Sequence, residues 1–368
     1  MLVLTKIQMT KRIPASRRFT LLLGLFLGLL VAGVIAQAQV SEWIRPSAAS
    51  DPLLWGRKDG IVFGLPSNGG MPGPRGLVRI GTFDRQSGRV RLLNYIAIEP
   101  VTKGKKARGD RMAFSELEKS RLDPGQRGAR LWVSSADSST IAGHLIHEPG
   151  MPSGVETLSV RVEVERFPQN GAHLYAILSI RSDHPNELRL SAYPYPDSKP
   201  IDEMTFTATM GAYERLRYLW LDDRVIDSRK LYSTYAGYDF AESDPYPMAD
   251  MLHDGEGNPI ALCTSSEAVP SANRNPQASA NWFYDGPRIT QFWKVPAKDA
   301  QPNLRVRVNG RHTYWQSKAA IPGGTSFENF ELRQTFSPGQ TFIFGISFDE
   351  PSAWHPSLLH LAQPPRLE

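Results

Sequence analysis

Residues 156–180 read ETLSVRVEVERFPQNGAHLYAILSI, and their alternation decides the fold class. Leu158, Val160, Val162 and Val164 fall between Ser159, Arg161, Glu163 and Glu165, so an extended chain here has one apolar and one wet face. Gln169-Asn170-Gly171 supplies a turn, after which Leu174, Ala176, Leu178 and Ile180 resume the pattern. A hairpin is predicted, with a further strand over 187–193. The run AYPYPDSKP at 192–200 closes the block as a proline-stiffened loop.

Outward from this block the text keeps the same character. The chain holds 30 Gly and 29 Pro in 368 residues, about one in six, against an average of roughly 12%. That composition suits many short strands joined by turns. Strands are predicted at 60–64, 77–82 and 89–99, with a glycine and proline loop at 65–76 and a Ser/Ala-rich lead-in at 39–52. Residues 101–128 turn polar and read as a surface excursion, its basic run a solvated face. Residues 270–279 form another loop, and 281–294 (NWFYDGPRITQFWK) are strand-rich. The expectation is an all-β protein, a large antiparallel β-sandwich of supersandwich-like layout with few short helices, formed by a single domain at 39–368.

Residues 1–38 precede that domain. Lys6, Lys11, Arg12, Arg17 and Arg18 form a positive start, 21–35 is an apolar run, and Ala36-Gln37-Ala38 is a small-x-small cleavage site. This order reads as a secretory signal cleaved after Ala38, the alternative being a retained anchor, since the run approaches the roughly 17 residues a spanning helix needs. The segment carries five of the 42 Lys+Arg and none of the 37 Asp+Glu, which leaves 37 of each sign in the mature chain. Basicity is therefore no argument for nucleic acid or a membrane surface as partner. Cys263 is the single cysteine, so no intrachain disulfide forms. An exported protein, periplasmic or extracellular, is expected.

Residues 204–242 read MTFTATMGAYERLRYLWLDDRVIDSRKLYSTYAGYDFAE and are the densest in aromatics, arginines and aspartates. Arg215, Arg217, Trp220 and Tyr235 offer guanidinium forks and rings suited to a sugar's hydroxyls and CH face. Within RLRYLWL, helical spacing and alternation are both partly satisfied, so the periodicity does not choose. Asp222, Asp223 and Asp227 lack a fixed metal-ligand spacing. In LHDGEGNPIALCTS (252–265), Asp254, Glu256 and Asn258 alternate, but Pro259 replaces the glycine a calcium loop needs, so a turn between strands is predicted.

Asn309-Gly310 is a two-residue hairpin signal. Closure there pairs Val308 with Arg311, Arg307 with His312, Arg305 with Tyr314 and Leu304 with Trp315. Leu304, Val306 and Trp315 then face the core, while Arg305, Arg307, His312 and Tyr314 share the other face. In FENFELR (327–333), Glu328 lies with Phe330 and Leu332, a carboxylate on an apolar face whose pKa should rise; Asn329, Glu331 and Arg333 point the other way. Glu99 ends the strand LLNYIAIEP at 92–100, a place where pockets often open. Glu99, His312, Glu328 and Glu331 are thus the candidate proton-transfer groups. One cavity is expected to join Arg217, Glu99 and at least one of His312, Glu328 and Glu331.

The succession of paired strands ending in FENFELRQTFSPGQTFIFGISFDEP (327–351) resembles the large β-sandwich of galactose mutarotase-like proteins, found also in aldose epimerases and polysaccharide lyase domains. The family's epimerases carry two histidines and a late glutamate; the resemblance implies His312 and either Glu328 or Glu331 for these roles. GGMPGPRG and FENFEL also resemble segments of exported bacterial proteins without an assigned activity. No G-x-x-x-x-G-K-[ST], G-x-S-x-G or H-E-x-x-H is present. His144 and His147 have no companion ligand cluster for zinc. Neither a metal nor a cofactor is expected. The function expected is recognition of carbohydrate, with acid/base chemistry on it, or as a non-catalytic module; an envelope scaffold that binds protein is the remaining class.

Overall fold

A computed structural model describes residues 42–65, 76–106, 109–112, 129–134, 138–147, 149, 154–209, 215–237, 240–265, 287–313 and 318–354. The expected signal segment at 1–38, the expected loop at 270–279, Tyr314 and Trp315 lie outside these.

In chain order the strands begin with β1 (Trp43–Ile44), β2 (Leu54–Arg57), β3 (Ile61–Gly64), β4 (Val78–Asp84), β5 (Arg89–Lys106), β6 (Gly109–Met112) and β7 (Leu131–Trp132). After the short helix α1 (Ser138–Ala142) come β8 (His144–His147), β9 (Glu156–Val164), β10 (Leu174–Arg181), β11 (His184–Pro194), β12 (Ile201–Thr209), β13 (Leu216–Trp220) and β14 (Val225–Asp227). Helix α2 (Ser228–Leu231) leads to β15 (Tyr246–Pro247), β16 (Leu252–His253), β17 (Pro259–Ser265), β18 (Thr290–Lys294), β19 (Arg305–Arg311), β20 (Ser326–Thr335) and β21 (Thr341–Ser347).

These strands make an all-β sandwich of two large antiparallel sheets. The ten-stranded sheet runs β1-β2-β3-β4-β5-β12-β20-β19-β15 with β6 on β5; the eleven-stranded sheet runs β14-β13-β17-β18-β21-β11-β10-β9-β7 with β16 and β8 at its margins. Alternation explains the stacking. On β9 and β10 the apolar set Leu158, Val160, Val162, Leu174, Ala176 and Leu178 is fully buried, and so are Met204, Phe206 and Ala208 of β12 in the other sheet. Their burial between the sheets, at about 1.5–3 kcal/mol for each large side chain, is what holds the layers together. The predicted turn at 169–171 is present: Gly171 adopts φ 76°, and Asn170 Nδ2 donates to the Pro100 carbonyl at 2.7 Å, tying the β9–β10 hairpin to β5. Among the described residues no helix is long and apolar enough to cross a membrane.

One open reading is decided, and two expectations need correction. RLRYLWL is a strand, because Leu219 and Trp220 pair with Cys263 and Leu262 of β17. The polar run at 101–128 starts not as a loop but as the end of β5, continued to Lys106 by pairing with β6 and β12. Asn309-Gly310 is no hairpin turn: β19 runs through it, Asn309 opposite Asn329 and Gly310 opposite Phe327. Gly310 also exchanges backbone hydrogen bonds with Ala241 at 2.8 Å in each direction. A Cβ on Gly310 would lie 2.4 Å from the Tyr232 ring, so the glycine serves close packing rather than a turn.

Candidate functional site

The face of the ten-stranded sheet turned away from the core is a ladder of polar side chains. Thr205 of β12 pairs with Glu99 of β5 and with Arg333 of β20, which pairs in turn with Arg305 of β19. One rung along, Thr207 stands beside Glu331, and Glu331 beside Arg307. The next rung holds Thr209, Asn329 and Asn309. Cross-strand partners share a face, so two of the proposed carboxylates and two of the proposed arginines meet here, supplied by β5, β19 and β20, with the threonines of β12 between them.

Their chemistry is paired. Arg305 donates to both Glu203 carboxylate oxygens, at 2.8 and 3.0 Å, and Arg333 Nε donates to the same group at 2.7 Å. Burial pushes the Glu203 carboxyl up, but the two guanidiniums hold it below the usual range. Arg307 pairs with Glu331. Burial works against the Arg307 charge, yet Glu331, Glu242 and Glu99 raise its pKa. Thr207 donates to the buried Glu99 carboxylate at 2.7 Å. A cleft of about 170 Å³ opens over this network, lined by Pro245, Arg305, Arg307, Glu331 and Arg333. Arg305 and Arg307 keep 24% and 27% of their side-chain surface exposed, against 6% for Glu331.

The other candidates lie elsewhere. Arg217 is fully buried and donates to the Pro322, Gly324 and Thr325 carbonyls at 2.5 to 2.8 Å. It clamps the loop before β20 and does not line the cleft. Arg215, with a left-handed φ of 53°, donates to the Pro322 carbonyl at 3.3 Å. Trp220 is buried in an apolar cluster on the outer face of the eleven-stranded sheet, its Nε1 donating to Thr264 Oγ1 at 2.9 Å. Tyr235 and His312 meet edge to face at 5.7 Å, beyond the end of β19. Tyr314 is outside the described residues.

Glu328 occupies a β-bulge. Asn309 and Gly310 are consecutive on β19, but their partners Asn329 and Phe327 are two apart on β20, so Glu328 is the extra residue. Phe327 and Phe330, three apart, both belong to the core cluster, which regular alternation forbids and one inserted residue restores. The face expected for Glu328 from Phe330 and Leu332 therefore does not follow. Its carboxyl is 1% exposed, with no hydrogen-bond partner for either oxygen among the described residues. Burial pushes it up to about 7 against the opposing pull of Arg311.

Sequence reasoning missed Glu203 and the threonines of β12. Their signal was present: in MTFTAT, Thr205, Thr207 and Thr209 alternate with Phe206 and Ala208, which marks a buried face and a polar one. As for metals, Asp227 caps α2 and binds Arg229, and Asp223 pairs with Arg224. His144 and His147 are three apart on one strand, hence on opposite faces. The 254–258 segment is a turn between β16 and β17, closed by Asp254 accepting from Glu256 and Asn258 backbone N–H groups at 3.0 Å. Among the described residues no three His, Cys, Asp or Glu side chains gather as metal ligands.

No family model and no curated protein matches the chain. A solved structure described as "Crystal Structure Analysis of HI1317" aligns with 83% of this chain and 98% of its own, at 9% sequence identity and a TM-score of 0.22. A likeness that slight carries no argument about fold or function.

Proposed function

We propose that this is an exported, non-catalytic carbohydrate-binding protein whose ligand lies on the outer face of the ten-stranded sheet. The observation that carries the reading is the cleft, where the guanidinium donors of Arg305, Arg307 and Arg333 stand around the Glu331 carboxylate. Vicinal hydroxyls both donate and accept, and fixed pairs of this kind answer both needs at once. Since Glu203 and Glu331 offset the arginines, the cleft has little net positive field to draw phosphates, which favours a neutral polyol over nucleic acid. The galactose mutarotase-like layout expected from the sequence points toward the same ligand class. An enzymatic version required Arg217 in the same cavity as the acids, and its guanidinium is held by loop carbonyls instead.

The test is affinity electrophoresis of the mature protein, starting at Gln39, in gels containing a panel of polysaccharides. At least one should retard wild type, with Arg307→Ala and Glu331→Gln abolishing most of the retardation. Equal retardation of wild type and both variants would move the site elsewhere, and no retardation by any polysaccharide would remove the carbohydrate reading.

A further inference from the structure

Two charged side chains on the outer face of the eleven-stranded sheet are buried together, far along the chain from one another. Lys294, the last residue of β18, donates through Nζ to Glu187 Oε1 of β11 at 2.6 Å, across a sequence separation of 107 residues. Each side chain keeps only 11% of its surface exposed. A second carboxylate stands beside the amine, with Asp254 Oδ2 at 3.5 Å from Nζ. The turn between β16 and β17 fixes Asp254 there, since its Oδ1 accepts from the Glu256 and Asn258 backbone N–H groups. The surroundings are apolar. Lys294 pairs with Ile260 on one side and Ile343 on the other, and both belong with Phe292 to the outer apolar cluster. Glu187 stands opposite Gly345 of β21, and Gly345 opposite Phe292. A Cβ on Gly345 would lie 2.0 Å from Phe292 Cζ, so the ring lies over that glycine, between β11 and β18.

Taking two charges out of water is costly, and their attraction offsets the cost only where the remaining lone pairs are satisfied. Glu187 Oε2 is buried without a hydrogen-bond partner among the described residues, the nearest His184 ring nitrogen being 4.0 Å away. Condensing the two groups to an amide removes both charges at once. We propose that Lys294 and Glu187 form a self-modification site, joined in the folded protein by an isopeptide bond with Asp254 as the proton carrier. Lys294 passes one proton along its hydrogen bond to Glu187 Oε1, which leaves a neutral amine beside a carboxylic acid. The amine nitrogen attacks the Glu187 carboxyl carbon, and Asp254 takes the proton that the nitrogen sheds. Asp254 then gives that proton to the Oε1 hydroxyl, which departs as water, while Oε2 becomes the amide carbonyl. One N–C bond forms, one C–O bond breaks and one water leaves, so no oxidant or reductant is needed. Holding the reacting groups in contact replaces an encounter in solution and supplies the rate. The bond ties β11 to β18 across β21, in a chain whose single cysteine can form no intrachain disulfide.

The experiment is a tryptic map of the full chain by mass spectrometry, with the purified protein boiled in denaturant before digestion. Wild type should yield a branched peptide in which 182–189 (SDHPNELR) and 289–298 (ITQFWKVPAK) are joined with the loss of one water, uncut after Lys294. Lys294→Arg keeps the charge pair but offers a guanidinium that stays protonated and cannot attack, so its two segments should appear as separate peptides. Asp254→Asn should slow accumulation of the branched peptide after synthesis by about a hundredfold or more, the effect of losing a positioned proton carrier. Wild type that gives 182–189 and 289–294 as separate peptides would overturn the bond, and that readout holds whether or not the variants fold. A branched peptide that forms as fast in Asp254→Asn as in wild type would remove Asp254 from the reaction.

Discussion

Two bulges in this sandwich each bury a charged side chain, and the molecule treats them oppositely. On β13, Leu216 pairs with Ser265 and Tyr218 with Thr264, which leaves Arg217 as the inserted residue; on β20 the inserted residue is Glu328. Arg217 is answered by three carbonyls of the loop that leads into β20. Among the described residues Glu328 is answered by none. A buried charge surrounded by acceptors built for it holds structure together, whereas a buried acid without partners costs stability and persists only for another reason. The contrast assigns Arg217, singled out for its chemistry, to architecture. Glu328 is left as the group whose environment requires an explanation from function.

Breaking the satisfied bulge should have the larger effect. Arg217→Met leaves the buried Thr325 carbonyl without its donor and releases those of Pro322 and Gly324, and we expect a loss of about 3–5 kcal/mol in unfolding free energy by urea denaturation. A loss below about 1 kcal/mol would mean that the clamp is not structural. The partnerless bulge should show itself through pH. Glu328 has a folded pKa of about 7 against an unfolded value of 4.5, so the folded form binds the proton more tightly. Its contribution to stability is full below pH 4.5, declines between 4.5 and 7, and is constant above. Wild type should therefore lose up to about 3 kcal/mol across that window that Glu328→Gln does not lose, at 1.36 kcal/mol per pKa unit. Parallel stability–pH curves for the two proteins would refute the assignment. The smallest effect is expected at Trp220, where Phe removes one hydrogen bond to Thr264. That change should cost about 1 kcal/mol and leave polysaccharide retardation as it was; lost retardation would return Trp220 to the ligand.

The same bulges explain what the sequence disclosed and what it hid. Alternation reads correctly where strands are regular, as in 156–180, because each second residue reaches the core. It fell silent over RLRYLWL because the inserted Arg217 places Leu216 and Leu219, three apart, in one core cluster. The burial and raised pKa it implied for Glu328 are present, but the bulge that places Glu328 there was not legible in the alternation. Asn309-Gly310 carries the composition of a turn, yet nothing local reveals that Ala241 and Tyr232, far along the chain, hold that glycine extended. The ladder of Arg305, Arg307, Glu331 and Glu99 was half legible, since its members were named as candidates. Their meeting on one face needs the strand order β5-β12-β20-β19, which no single segment encodes.

The most direct test maps where a sugar touches the protein, using backbone amide shifts of ¹⁵N-labelled protein spanning residues 39–368 titrated with a polysaccharide fragment selected by the gels. The account predicts shifts concentrated in Arg305–Arg311 and Ser326–Thr335, the strands that carry the cleft and the Glu328 bulge, with Leu216–Trp220 unmoved. Shifts concentrated in Leu216–Trp220 with β19 and β20 silent would contradict it.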